Sequence, residues 1–139
     1  MHLLDTDTLT HLHAGHRRVT ERLRGLDDPD VGITIITRVE LLRGRYEFLL
    51  KAASGVELVR AQHWLNRTEE LLAQTLVIPV DEAAAAQFDR LRTAKGLAQI
   101  GRADLLTASI VLAHRATLVT RNLRHFRQVP GLQVVNWVD

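Results

Sequence analysis

The chain has 139 residues, 46% of them hydrophobic, with no cysteine and a formal net charge of +2. That length fits a single domain over residues 1–139 with a core of its own, and the lack of cysteine excludes disulfide staples and thiolate metal sites. No apolar run reaches membrane-spanning length, and the early acid Asp5 breaks any signal-peptide segment, so a soluble, cytoplasmic protein is expected.

The modest net charge hides a skew. Sixteen of the 18 basic residues are Arg, and Lys51 and Lys95 are the only lysines. Arg presents a planar fork that suits phosphate and carboxylate. If Asp5, Asp7, Glu40 and Asp104 gather in one site, the rest of the chain holds 18 basic against 12 acidic residues, about +6. Such a surface favours a polyanion; the bland alternative is a solvated Arg-rich face.

Residues 2–5 read as a short buried strand ending in an acid. Thr6-Asp7-Thr8 supplies capping residues, and Leu9 and Leu12 carry a helical stripe to Gly15. A basic amphipathic helix follows over 17–26, with Val19, Leu23 and Leu26 on one face, and residues 27–30 form a turn. The second strand is Val31–Ile36, β-branched enough for a sheet covered on both faces. Thr37-x-x-Glu40 opens a helix that runs through Leu41, Leu42 and Tyr46. A longer helix spans 56–73, with Leu58, Leu65 and Leu72 repeating on one face and Trp64 and Leu71 beside them. The third strand is Leu76–Val80. Asp81 caps a helix over 82–95 that buries Ala84, Phe88 and Leu91 and stops at Gly96.

A polar loop at 96–101 leads to a helix over 101–114 that is apolar on almost every side, the mark of a helix buried in a core. It carries Asp104 in its first turn. A buried, unpaired carboxylate is costly, so Asp104 is expected to meet a partner or a cation. A fourth strand at 117–120, the segment 121–126, a Pro130-Gly131 turn and a last strand at 133–136 complete the chain. Strands alternate with helices throughout, which predicts a three-layer α/β/α sandwich with a mostly parallel sheet.

In an open parallel sheet, sites form beyond the C-terminal ends of the strands. Asp5 and Asp7 follow the first strand, Glu40 lies one helical turn after the second, Asn122 follows the fourth, and Asp104 opens the buried helix. Each has a structural alternative. Asp5 or Asp7 caps the first helix; Thr37-x-x-Glu40 matches a capping box; Asp104 answers its helix dipole; Asn122 is a turn residue. Together, carboxylates from distant segments match what Mg²⁺ or Mn²⁺ needs: oxygen ligands and retained water. Of the seven histidines, only His125 is expected near this site.

Leu3-Leu4-Asp5-Thr6-Asp7, Thr37-Arg-Val-Glu40-Leu, Asp104-Leu-Leu-Thr-Ala-Ser, Val119-Thr120-Arg121-Asn122-x-x-His125-Phe126, Pro130-Gly131-Leu and Asn136-Trp137 together resemble the PIN-domain family. The branch they are most similar to is the VapC-type toxins of bacterial toxin–antitoxin pairs. The resemblance spans nearly the whole chain and implies a Mg²⁺- or Mn²⁺-dependent endoribonuclease. By matching position, Asp5, Glu40 and Asp104 would be its catalytic acids, with Asp5 and Asp104 holding the metal and Glu40 reaching it directly or through water. Asn122 falls where many members have a fourth acid, and His125 replaces an acid often found before the Phe. Both departures weaken the site's negative potential. Asp7 stands where Asn or Ser is common and would compensate, while Thr6 and Thr120 would orient the ligands from behind. The resemblance further implies RNA as substrate, a small cognate antitoxin and a homodimer.

Three rivals compete. Asp5-Thr6-Asp7 looks like the opening of a haloacid-dehalogenase-type phosphatase, but Leu9 stands where that family prefers Thr or Val, and no paired late acids follow Asp104. A phosphoacceptor receiver domain would use Asp81, but it needs a late Lys and none occurs beyond Lys95. A PIN fold that has lost catalysis and only binds RNA or protein is motivated by Asn122 and His125.

Overall fold

The computed structural model describes all of residues 1–139. Five strands form its sheet: β1 His2–Leu4, β2 Val31–Thr34, β3 Leu76–Ile78, β4 Thr117–Val119 and β5 Gln133–Val135. Their order is β3-β2-β1-β4-β5, and every neighbouring pair is parallel, so the sheet is wholly rather than mostly parallel. The register sets Leu3 opposite Gly32 and Leu118, and Val119 opposite Leu4 and Val135.

Seven helices connect the strands: α1 Thr6–His13, α2 Arg17–Arg24, α3 Ile35–Leu50, α4 Gly55–Ala73, α5 Glu82–Arg92, α6 Arg102–Ala113 and α7 Leu123–Phe126. Successive side chains on a strand point to opposite faces, and two cores result. Leu3 and Leu118 pack with Leu91, Leu105, Ala108 and Val111 on one face. Leu4, Ile33 and Val119 pack with Leu9, Val19, Leu72 and Trp137 on the other. This is the three-layer sandwich expected from the alternation of elements.

The helix over 102–113 is the buried one, with Leu105 and Thr107 through Val111 all out of solvent. Elsewhere the structure moves several predicted boundaries. The second strand ends at Thr34 rather than Ile36, because the Thr34 hydroxyl accepts the Thr37 N–H and caps α3. Ile35 and Ile36 then pack against the core from the first turn of a helix. Leu58 and Trp64 are 46% and 40% exposed, so α4 buries Ala61, Leu65, Thr68 and Leu72 instead. The loop before α6 is anchored by the buried side chains of Leu97 and Ile100 and is not simply polar. α5 stops at Arg92, four residues before Gly96 turns with φ +84°.

One glycine is needed for sheet packing. A Cβ at Gly32 would strike the Leu76 carbonyl oxygen and come within 2.8 Å of the Leu76 Cβ. The chain builds β2 and β3 on one side of β1, then returns to lay β4 and β5 on the other. That reversal leaves a crevice at the C-terminal ends of β1 and β4, where open parallel sheets bind ligands.

Candidate active site

A cleft of about 460 Å³ opens at this crevice. Asp5, Thr6, Asp7, Thr37, Glu40, Asp104, Thr107, Arg121, Asn122 and Phe126 line it, and Phe126 is its one hydrophobic wall. Asp5 leaves β1 as the N-cap of α1, its Oδ1 accepting the Thr8 N–H at 2.8 Å. Asp5 is therefore both a cap and a cleft residue. Its Oδ2 accepts no hydrogen bond from the protein.

Glu40 lies in the second turn of α3, where Thr6 donates its hydroxyl proton to Oε1 at 2.7 Å. The Thr6 hydroxyl also lies 3.3 Å from that of Thr37. The capping-box reading of Thr37-x-x-Glu40 is thereby corrected. Thr34 caps the helix, and Glu40 turns across to α1 instead of back to its own N-terminus.

Asp104 sits in the first turn of α6, after a glycine cap that supplies no side-chain oxygen. It is not buried as the sequence suggested: its side chain is 45% exposed, because the first turn of α6 reaches the cleft wall while the rest of the helix enters the core. His125 Nε2 lies 3.1 Å from Asp104 Oδ2. The contact misses hydrogen-bond geometry, and that buried nitrogen has no partner.

Asp7 lines the cleft with a side chain 52% exposed. Asn122 lines it too, and its side chain makes no cap bond to α7. Thr120 does not reach the cleft. It is fully buried and accepts the Asn122 N–H at 3.0 Å, so it steadies a backbone rather than a carboxylate.

Four lining residues lay in the quoted motifs but were not expected at the site: Thr37, Thr107, Arg121 and Phe126. Thr107 stands three residues after Asp104, a spacing that puts both on one helical face. Arg121 brings a cation to the rim. Its guanidinium meets Asp139 at 3.1 and 3.2 Å, and hydrogen bonds from Asn136 and then Arg121 hold the Asp139 carboxyl below its ordinary range.

A family model described as a PIN domain matches residues 3–132. This chain belongs to the PIN-domain family. Ribonuclease VapC2 of Rickettsia felis is 31% identical over 99 residues, covering 62% of this PIN chain and 73% of that protein. The solved structure of VapBC2 from Rickettsia felis, bound to a DNA fragment from their promoter, superposes with a TM-score of 0.74 at 27% identity over 98% of each chain. FitAcB from Neisseria gonorrhoeae gives 0.73 at 26% identity, over 98% of this chain and 97% of that one. VapBC-1 from nontypeable Haemophilus influenzae gives 0.80 over 99% and 98% of the two chains, but at 22% identity it speaks for the fold alone. The family resemblance read from the sequence motifs is borne out.

The cleft fits a hard cation by donor chemistry. Its anionic groups are all carboxylates, and Asp5 and Glu40 each keep an oxygen that accepts no hydrogen bond from the protein. Oxygen donors around a solvent-filled cleft suit Mg²⁺ or Mn²⁺, which keep several waters. As they stand, no three acids or histidines converge closely enough to hold an ion. Asp5 and Glu40 are each oriented by a hydrogen bond from a local neighbour, Thr8 and Thr6, whereas Asp104 only has the His125 ring beside it.

Proposed function

We propose that this PIN-domain protein is a divalent-metal-dependent endoribonuclease and the toxin of a toxin–antitoxin pair. The observation that carries this reading is one cleft at the sheet's switch point lined by Asp5, Glu40 and Asp104 from three separate elements. The similarity to a ribonuclease of the VapC type supports the substrate.

In this reading Asp5 and Asp104 would hold the cation, with Glu40 reaching it directly or through water. A bound Mg²⁺ or Mn²⁺ supplies an acidified water and charge to offset that developing on phosphorus. The chain's own residues position the rest. The α1 cap fixes the Asp5 carboxylate, and Thr6 fixes Glu40. Asp139 holds the Arg121 guanidinium at the rim, where it meets a backbone phosphate and stabilises the added negative charge. Thr107 and Asn122 offer neutral hydrogen-bond partners to water or sugar along the wall.

A small antitoxin and a second copy of the chain are the proposed protein partners. A similar solved structure from Klebsiella pneumoniae, 25% identical, is a toxin–antitoxin complex. Around the α3–α4 turn, Phe48, Leu50, Val56 and Val59 are 45–82% exposed. Exposed apolar side chains gathered near one turn suit a protein contact. No helix is long and apolar enough to cross a membrane.

The test is cleavage of total RNA and of tRNA by antitoxin-free protein in Mg²⁺, in Mn²⁺ and in EDTA, with Asp104→Asn alongside. Metal-dependent cutting that vanishes in the variant supports the reading. Folded protein that binds RNA and never cuts it supports the binding-module rival instead.

A further inference from the structure

A second cavity, of about 320 Å³, lies between α1, α3 and α4. Thr10 and His13 line it from α1, Leu41 and Arg45 from α3, and Trp64, Arg67, Thr68 and Leu71 from α4. The α4 residues fall at i, i+3, i+4 and i+7, one continuous helical face. Arg45 is held in place: its Nε donates to the Thr68 hydroxyl at 2.9 Å, and its guanidinium carbon lies 5.2 Å from the centre of the Trp64 ring.

The arginine ion pairs of this chain are Arg17–Glu21, Arg92–Asp89 and Arg121–Asp139. Arg45 and Arg67 are in none of them, so both carry charge without an internal counter-ion. Burial, then the fields of Arg67 and Arg45, keep the His13 imidazole below its ordinary range. At neutral pH the cavity's charge therefore comes from the two guanidinium groups. Trp64 stays 40% exposed beside them.

The cavity adjoins the acidic cleft. The Thr10 hydroxyl donates to the Thr6 carbonyl at 2.8 Å, so the two threonines sit one turn apart, with Thr6 in the cleft and Thr10 in the cavity. Glu40 and Leu41 are adjacent residues divided between the same two spaces. One turn advances about 5.4 Å, so a strand leaving the cleft can reach the cavity within a few nucleotides.

We propose that this cavity is a nucleotide subsite for the RNA strand, with Arg45 and Arg67 taking a backbone phosphate and Trp64 stacking a base. Paired guanidinium groups suit phosphate, and an exposed indole suits any base. The proposal rests on the ribonuclease reading of the neighbouring cleft. It adds where the strand runs after it leaves the acids, and it makes recognition here tolerant of sequence.

The experiment uses the full chain carrying Asp104→Asn, so that RNA stays intact, and titrates a single-stranded mixed-sequence oligoribonucleotide in low salt. The expected result is quenching of indole emission that disappears in a Trp64→Leu background, where only the buried Trp137 still emits. Affinity read from a labelled RNA falls about tenfold in Trp64→Leu. In Arg67→Gln the slope of log affinity against log salt is shallower by about one. Both positions are solvent-exposed, and matching thermal midpoints establish that the variants fold. In the active chain, each substitution raises KM for RNA.

If the active chain cuts RNA but neither substitution changes KM, affinity or emission, the subsite is wrong and the nuclease stands. If RNA quenches Trp64 while no metal supports cleavage, the subsite stands and the nuclease reading falls. Polyglutamate quenching Trp64 as strongly as RNA would overturn the assignment in favour of an acidic protein partner.

Discussion

At the scale of single residues, the three acids differ in what else they do, and their substitutions should separate accordingly. Asp5 is a helix cap as well as a cleft carboxylate. Asn caps a helix about as well as Asp, so Asp5→Asn should lower cleavage by about 100-fold or more, the loss of several kcal/mol of charge stabilisation, with an unchanged thermal midpoint. Asp5→Ala should lose the same activity and about 1 kcal/mol of stability besides. Denaturant midpoints measured next to cleavage rates check both. Thr6 tests orientation alone, since its hydroxyl fixes Glu40 at 2.7 Å without being an acid. Thr6→Val should raise the Mg²⁺ or Mn²⁺ concentration for half-maximal cleavage by about tenfold. A metal titration that does not move would show that Glu40 needs no such support.

Secondary-structure elements place these residues, and two element-level contacts hold the placement. Gly32 lets β2 approach β3, where any Cβ would meet the Leu76 backbone. Gly32→Ala should cost about 2 kcal/mol by overpacking, read as a lower urea midpoint with the slope unchanged. The start of β1 is tied to the turn before β2 by Asp28, whose Oδ2 accepts from His2 Nδ1 at 2.6 Å. That bond, then the Asp30 N–H and the N-terminal ammonium, pull the Asp28 carboxyl well below the usual carboxylate range. A carboxyl depressed in the folded state contributes stability above its unfolded pKa, about 3.9, and loses it as pH falls. Asp28→Asn should therefore be less stable than the parent at pH 6, and the gap should close as pH drops below about 4. Urea midpoints across that range give the answer, and a gap independent of pH would refute the tie.

For the molecule as a whole, the decisive property is the separation of charge. Four acids line one cleft, while 18 basic residues, nearly all Arg, face the 12 acids left elsewhere. RNA affinity should fall steeply with salt, with a log–log slope of about −0.7 per neutralised phosphate. A flat salt response would mean that RNA does not use this surface. The exposed apolar side chains around the α3–α4 turn predict that the chain is not solitary in solution. Light scattering at micromolar concentration should give a dimer mass, and Leu50→Lys with Val59→Lys tests whether that patch holds it.

The sequence by itself determined the element types, the layer order and the identity of the cleft acids. Those follow from local signals: β-branched runs, helical spacing, and acids placed just after strands. Asp5, Asp7, Glu40, Asp104 and Asn122 were all legible as one edge of a parallel sheet, because that topology sends every strand's C-terminal end the same way. Tertiary structure decided the rest. Glu40 looked like a box partner of Thr37 until α1 brought Thr6 within 2.7 Å of it. Asp104 looked buried because the helix around it is apolar, yet the first turn of α6 reaches the cleft wall. Trp64 read only as a neighbour of the leucine stripe on its helix, and it is the fold that sets Arg45 beside its ring and leaves it part-exposed. In each case local spacing fixes which residues share a face, whereas the packing of distant segments fixes what that face meets.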